Sequence, residues 1–358
     1  MPPRLFRRGP VVIFIFGTSA FGGAAYRFFK PSESLHPHDF TPYTLIDKQR
    51  VSSTSAIFTL RHSHNIATSS SLREVWKRSI WSLQIKQPQL QIARAYTPLP
   101  PEPHINAEDG EDDQVEDIRL LIRQEQGGEM STYLHRLPEM STIELRGPHV
   151  ECEIPEDVTD VVFLAGGTGI APAMQVAQVL GRRSGSRMSL LWANRRREEC
   201  VGGVGDVVSS TTNGAQSRRG WRNLFGLIGQ SAVPPPSPTS QSPPPLSNIP
   251  TKEKGLIVQE LEALQAKAQT SSKANLQVQY FVDEENTFIQ PSDVATRLQT
   301  SNSTDPSSHR KLIFVSGPEG FIDYWAGKKV WSGGREVQGP LGGALSRMDI
   351  AGWKVVKL

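Results

Sequence analysis

The sequence predicts an α+β protein of two domains. An antiparallel β-barrel is followed by an α/β domain on a parallel sheet, and both stand behind an N-terminal membrane helix. Three observations predict this. From residue 40 onward, short alternating apolar segments are parted by polar turns, as in half-buried antiparallel strands. Residues 160–172 run from an apolar strand into a glycine turn and then a helical pattern, the mark of a parallel-sheet unit. Residues 10–26 form one apolar run with basic residues on both sides.

At 358 residues the chain suits two cores plus irregular segments. A hydrophobic share of 37% with 30 glycines and 27 prolines means that part of it is linker or insertion. A net charge of +3 gives no footing for nucleic-acid binding. The two cysteines, Cys152 and Cys200, form no CxxC pair, which argues against a zinc site or a disulfide framework. Either one disulfide joins them or, the favoured reading, both are free and buried.

The N-terminus carries Arg4, Arg7 and Arg8, with no acidic residue before Glu33. Arg27 and Lys30 close the apolar run, and a span needs roughly 17–25 residues. Phe16, Phe21, Phe28 and Phe29 favour the membrane interface. A secretory signal and a buried core helix are the competing readings. An arginine-rich, acid-poor leader on a short span fits a mitochondrial inner-membrane anchor over residues 1–37 best. The soluble part would then face the intermembrane space.

Residues 38–153 hold the expected barrel. Residues 43–62 read as two strands, and 76–100 as another pair with Ile80, Leu83 and Ile85 before Pro88. After an acidic loop at 108–117 come strands near 118–124 and 142–148, with a single helical stretch at 130–137. Within this frame, Arg94 and Tyr96 stand two apart on one strand and so share a face. Thr97 follows, offering a hydroxyl. Gly127 and Gly128 precede Glu129, Met130 and Ser131 where that helix starts; glycines allow close backbone approach, and a helix N-terminus favours anions. Ser131 reads as N-cap, as phosphate ligand, or both. Arg146-Gly147-Pro148 is either a domain-end signature or a simple turn.

Residues 154–358 hold the second domain. Its apolar strand enters Gly166-Gly167-Thr168-Gly169-Ile170-Ala171-Pro172, which places a dinucleotide phosphate at a helix N-terminus. A second strand ends at Asn194, followed by Arg195, Arg196 and Arg197; these either favour a 2′-phosphate or form a solvated charge run. Residues 201–254 are Pro- and Ser-rich and read as a disordered insertion. The fold resumes with a helix at 255–269, a strand at 276–283 and a helix at 292–299. The last recognisable strand runs from Lys311 into Ser316-Gly317-Pro318.

These motifs resemble the ferredoxin reductase superfamily, which includes the NADH-cytochrome b5 reductases. Arg94-Ala95-Tyr96-Thr97 is similar to its R-x-Y-[ST] flavin signature, residues 127–131 to its G-G-x-M-S turn, and 146–148 to its R-G-P. The turn at 166–172 is similar to G-G-T-G-[IV]-[AT]-P, and 316–318 to the C-G-P at the nicotinamide site. The resemblance implies an FAD-dependent NAD(P)H oxidoreductase using NADH or NADPH. FAD would be held by Arg94, Tyr96, Thr97, Gly128, Met130 and Ser131. The nucleotide would lie on Gly166, Gly167, Thr168, Gly169, Pro172, Gly317 and Pro318, with Thr97 and Ser316 catalytic. Two departures stand out: Glu129 where animal members tend to carry lysine, and Ser316 where cysteine is frequent.

The C-terminal block 316–358, with the N-terminal span and the insertion, resembles the fungal cytochrome c mitochondrial import factor family. That resemblance implies an inner-membrane flavoprotein working with cytochrome c haem lyase, apocytochrome c and haem, keeping haem iron reduced for attachment. A general reductase of a soluble haem protein and a flavin-bound scaffold with weak catalysis are the alternatives. Trp325, Trp331, Arg335 and Trp353 read either as a docking or flavin-covering surface or as core and turn residues.

Overall fold

The computed structural model describes residues 35–64, 69–101, 117–204, 254–272, 274–300 and 310–358. The expected anchor helix over 10–26, most of the acidic loop and nearly all of the insertion lie outside them. No helix among the described residues is long and apolar enough to cross a membrane.

The first half is a seven-stranded antiparallel sheet. Its strands are β1 (Thr41–Arg50), β2 (Ser55–His62), β3 (Ser79–Gln87), β4 (Ile92–Tyr96), β5 (Pro98–Leu99), β6 (Ile118–Arg123) and β7 (Thr142–Glu153). The order is β4-β3-β7-β1-β2-β6-β5. β4 and β5 stand at opposite ends of that order, yet only Thr97 separates them in the chain. The sheet must therefore curl until its edges meet, which makes it a barrel. Leu45, Phe58, Leu60, Leu83, Ile85, Leu120 and Leu145 fill its interior.

Two helices accompany the barrel, where the sequence promises one. α1 (Ser70–Arg78) occupies a stretch whose end reads as strand. Leu72 and Trp76, four apart, form its buried face, and Ser69 caps it by accepting the Leu72 N–H at 3.3 Å. α2 (Glu129–Arg136) is the expected helix. The Arg146-Gly147-Pro148 segment is no turn: β7 runs through it, with a cis bond before Pro148.

The second half is a five-stranded parallel sheet of β8 (Val158–Gly166), β9 (Arg187–Asn194), β10 (Asn275–Val282), β11 (Arg310–Ser316) and β14 (Trp353–Lys357), in the order β10-β9-β8-β11-β14. Between β11 and β14 the chain forms α6 (Glu319–Ala326) and a hairpin of β12 (Val330–Ser332) and β13 (Arg335–Val337). β14 corrects the reading that β11 is the last strand. Its Lys354 and Lys357 interrupt the apolar run that marks the inner strands, as an edge position allows.

Helices cover both faces. Along β8, Val161, Phe163 and Ala165 pack on one side with α3 (Ile170–Leu180) and α4 (Leu256–Ser272). Val162 and Leu164 pack on the other with α5 (Pro291–Thr300) and α6. This alternation explains why β8 is apolar throughout. Ile57, Ile80, Leu99 and Leu121 of the barrel join the first of these cores, so barrel and parallel sheet are packed into one another.

Candidate functional site

From β8 the chain winds outward through β9 and β10, then returns to the other side of β8 as β11. The crevice at the C-terminal ends of β8 and β11 is therefore the topological switch point, where open α/β sheets bind ligands. The glycine turn at 166–169 and the Ser316-Gly317-Pro318 turn meet there. Ser316 pairs with Ala165 in register. A Cβ placed on Gly169 would lie 2.4 Å from the Ser316 carbonyl oxygen, and one on Gly317 would lie 3.1 Å from the Gly166 Cα. Backbone meets backbone, and only glycine permits it. Gly166, Gly167, Thr168, Gly169, Ser316, Gly317 and Pro318 thus line one crevice. Pro172, in the first turn of α3, needs no hydrogen-bond acceptor there.

Gly167 adopts φ +55° and is held from two sides. The Trp192 indole donates to its carbonyl at 2.9 Å. The Arg123 guanidinium, from the end of β6, lies where a Cβ would approach it to 3.2 Å. Arg123 donates to Glu199 at 2.5 Å, with both side chains almost fully buried. Glu199 also accepts the Arg195 N–H at 3.1 Å. The sequence reading misses this pair because its two halves lie in different domains.

At the outer end of the second strand, Asn194 is 2% exposed, and neither amide atom finds a partner. Val282 pairs with it, and Asp283 follows directly. Burial lifts the Asp283 carboxyl to about 6, against the pull of Arg195. Arg195 and Arg196 are exposed and Arg197 is half-buried, and all three have partners. Arg196 donates to Ser53 at 3.0 Å, and Arg197 is held by Glu285 and the Gly203 carbonyl. Arg195 too is engaged.

On the barrel, Arg94 and Tyr96 lie opposite Ile85 and Leu83 in the β3–β4 ladder and so share a face. Arg94 is exposed, while Tyr96 packs partly against the barrel core. Burial pushes the Tyr96 phenol up to about 12, so it stays protonated and keeps a donor hydrogen. Thr97 sits at the barrel seam between β4 and β5.

A cavity of about 550 Å³ opens between the β3–β4 turn and the first turns of α2. Gln87, Gln89, Gly127, Gly128, Glu129, Thr132, Tyr133 and Arg136 line it. The N–H groups of Glu129, Met130 and Ser131 head the helix and have no helical acceptor. The Met130 side chain is buried in the barrel core, so only its backbone is available to a ligand. Ser131 is not the N-cap, which is Gly128. Its hydroxyl locks the turn instead, accepting the Glu125 N–H at 3.0 Å and donating to the Gly128 carbonyl at 3.2 Å. Glu129 is exposed and lies on the cavity wall.

Cys152 and Cys200 are both free; Cys200 is buried and Cys152 half-buried. Trp325 belongs to the core and Trp353 is half-buried, while Trp331 on β12 is 77% exposed. Trp325, being buried, is part of no surface.

Residues 42–154 match the family described as Oxidoreductase FAD-binding domain. The barrel is therefore an FAD-binding oxidoreductase domain of the ferredoxin reductase and cytochrome b5 reductase superfamily. Among curated proteins, an uncharacterized FAD-binding protein of Schizosaccharomyces pombe is 30% identical over 160 residues, 44% of this chain and 53% of that one. NADH-cytochrome b5 reductase 1 of Pyricularia oryzae is 28% identical over 188 residues, 49% of this chain and 56% of that one. The cytochrome c mitochondrial import factor CYC2 of Saccharomyces cerevisiae is 34% identical over 84 residues, 22% of either chain. The chain thus spans about half the length of the first and second of these relatives and about a fifth of the third.

Proposed function

We propose that this chain is an FAD-dependent NAD(P)H oxidoreductase that passes electrons to a haem group. The observation that carries the reading is the switch-point crevice, whose two glycine turns pack backbone to backbone beside an FAD-binding barrel.

FAD, when bound, takes a hydride from the nicotinamide and releases its two electrons singly to an iron acceptor. The residues present fit such a group. Arg94, exposed on β4, is placed to pair with a phosphate, and Tyr96 to cover the ring beside it. The α2 N-terminus and its glycine turn offer N–H donors to a pyrophosphate. The turn at 166–169 does the same for the nucleotide, while Ser316 borders its nicotinamide end. Asn194, with a buried and unpartnered amide, suits the adenosine. Asp283 suits the ribose hydroxyls and opposes a 2′-phosphate, and Arg197 is held by Glu285, so NADH is the preferred donor.

On this reading residues 1–37 are a mitochondrial leader and inner-membrane anchor, 38–153 the flavin domain and 154–358 the nucleotide domain. The soluble part faces the intermembrane space, and the acceptor is haem on its way to cytochrome c. The relatives' names and the basic, apolar N-terminus support this part. Anaerobic mixing of the purified chain with NADH or NADPH should bleach the flavin absorbance near 450 nm (roughly the usual flavin band). No bleaching with either nucleotide would sink the enzyme reading. Co-purification with haem lyase separates the haem-attachment role from that of a general reductase.

A further inference from the structure

We propose that Gln175 is a positioning residue for flavin reduction, fixing the nucleotide turn to the strand junction that carries Thr97. The inference rests on the oxidoreductase reading above. Gln175 lies on α3, six residues beyond Gly169, and is 1% exposed. Its side chain does not serve its own domain. The Trp81 N–H donates to Gln175 Oε1 at 2.9 Å, and Gln175 Nε2 donates to the carbonyls of Trp81 at 3.2 Å and Pro98 at 2.9 Å. Two carbonyls can only accept, so the network assigns the amide orientation.

The barrel needs this side chain at that point. The β3–β4 ladder pairs Leu83 with Tyr96, and its last step before the seam, continued by two residues, sets Trp81 opposite Pro98. Proline has no N–H, so the ladder cannot continue. On its other edge, β3 shifts register against β7 on both sides of Trp81. Gln175 supplies what the seam lacks: a donor for the Trp81 carbonyl and an acceptor for its N–H. The same amide holds Pro98, the residue after Thr97. The flavin-side junction and the helix leaving the nucleotide turn are therefore referenced to one side chain. Gly169 lies about 9 Å from Gln175 along the helix axis, a short and stiff lever. Arg123 under Gly167 is the second contact between barrel and turn.

Hydride transfer is steep in distance, and a displacement of about 1 Å costs on the order of 100-fold in rate. The test is stopped-flow reduction of the full-length, FAD-loaded chain by NADH. Gln175→Leu should keep its FAD and a KM within about threefold of wild type, while the limiting reduction rate falls roughly 10- to 100-fold. Should that variant fail to fold, Gln175→Glu replaces it at unchanged size. Its carboxyl carries one O–H, and only when protonated, so it can serve one of the two carbonyls at most and its reduction rate should climb as pH falls, a dependence absent from wild type. An unchanged limiting rate, or a loss confined to KM or FAD content, overturns the proposal, as does a pH-independent Gln175→Glu rate. Wild-type flavin that neither nucleotide reduces would overturn the functional reading and this proposal together.

Discussion

Gly169 packs against Ser316 so closely that a Cβ there would sit 2.4 Å from the Ser316 carbonyl oxygen and 2.9 Å from the Gly317 nitrogen. The φ of Gly169 is −61°, comfortable for any residue, so the demand is for space and not for backbone freedom. Because the obstructing atoms are backbone, no rotamer change relieves them. Gly169→Ala should part the two turns and cost about 1–3 kcal/mol of stability. A lowered melting temperature with a raised KM for NADH is the expected outcome; wild-type values for both would mean that the crevice is looser than its geometry.

Arg94 and Tyr96 share a face but differ in burial, so their variants should part company. Arg94→Ala removes an exposed side chain, and stability should stay within about 0.5 kcal/mol. FAD occupancy of the purified protein should nevertheless fall several-fold, since a charge-assisted phosphate contact is lost. Tyr96→Ala should lose flavin and also some stability, because the ring covers part of the barrel core. Full flavin content in both variants would move the cofactor off β4.

Glu129 gives a prediction with two signs. A carboxylate in the first turn of α2 favours the helix by about 0.3–1 kcal/mol. On the cavity wall the same charge opposes a pyrophosphate, by on the order of 1 kcal/mol in a partly solvated site. Glu129→Gln should therefore melt slightly earlier without FAD, yet bind FAD about fivefold more tightly in a titration followed by flavin fluorescence. Equal or weaker FAD binding would place the phosphates away from this turn.

Much of this was readable in the chain because the signals are local. Residues 160–172 declare strand, turn and helix within thirteen neighbours, and β8 is apolar on both faces because helices cover both. What escaped depends on distant partners. β14 hides behind Lys354 and Lys357, and α1 runs so directly into β3 that its Trp76 reads as part of that strand. Ser131 looks like an N-cap until the helix is seen to begin two residues earlier. Gln175 and the Arg123–Glu199 pair gain their meaning only when the barrel and the parallel sheet are packed together.

Asp283 links nucleotide choice to pH. Burial raises its carboxyl from the ordinary aspartate range to about 6, with Glu199 adding to the rise and Arg195 opposing it. A folded-state value above the unfolded one means that folding favours the protonated acid. That contribution is complete below about pH 4 and is lost as pH climbs through 6. Asp283→Asn should thus match wild-type stability near pH 4 and exceed it above pH 6, by an order of 1–3 °C in melting temperature for a half-buried group. The same change removes the charge that would repel a 2′-phosphate, so the ratio of kcat/KM for NADPH over NADH should rise at pH 7.5, where wild type is ionised. At pH 5, where wild-type Asp283 is largely neutral, the two proteins should discriminate nearly alike. A gap in nucleotide preference that persists unchanged at pH 5 would mean that the carboxyl acts by hydrogen bonding and shape, with charge repulsion playing no part.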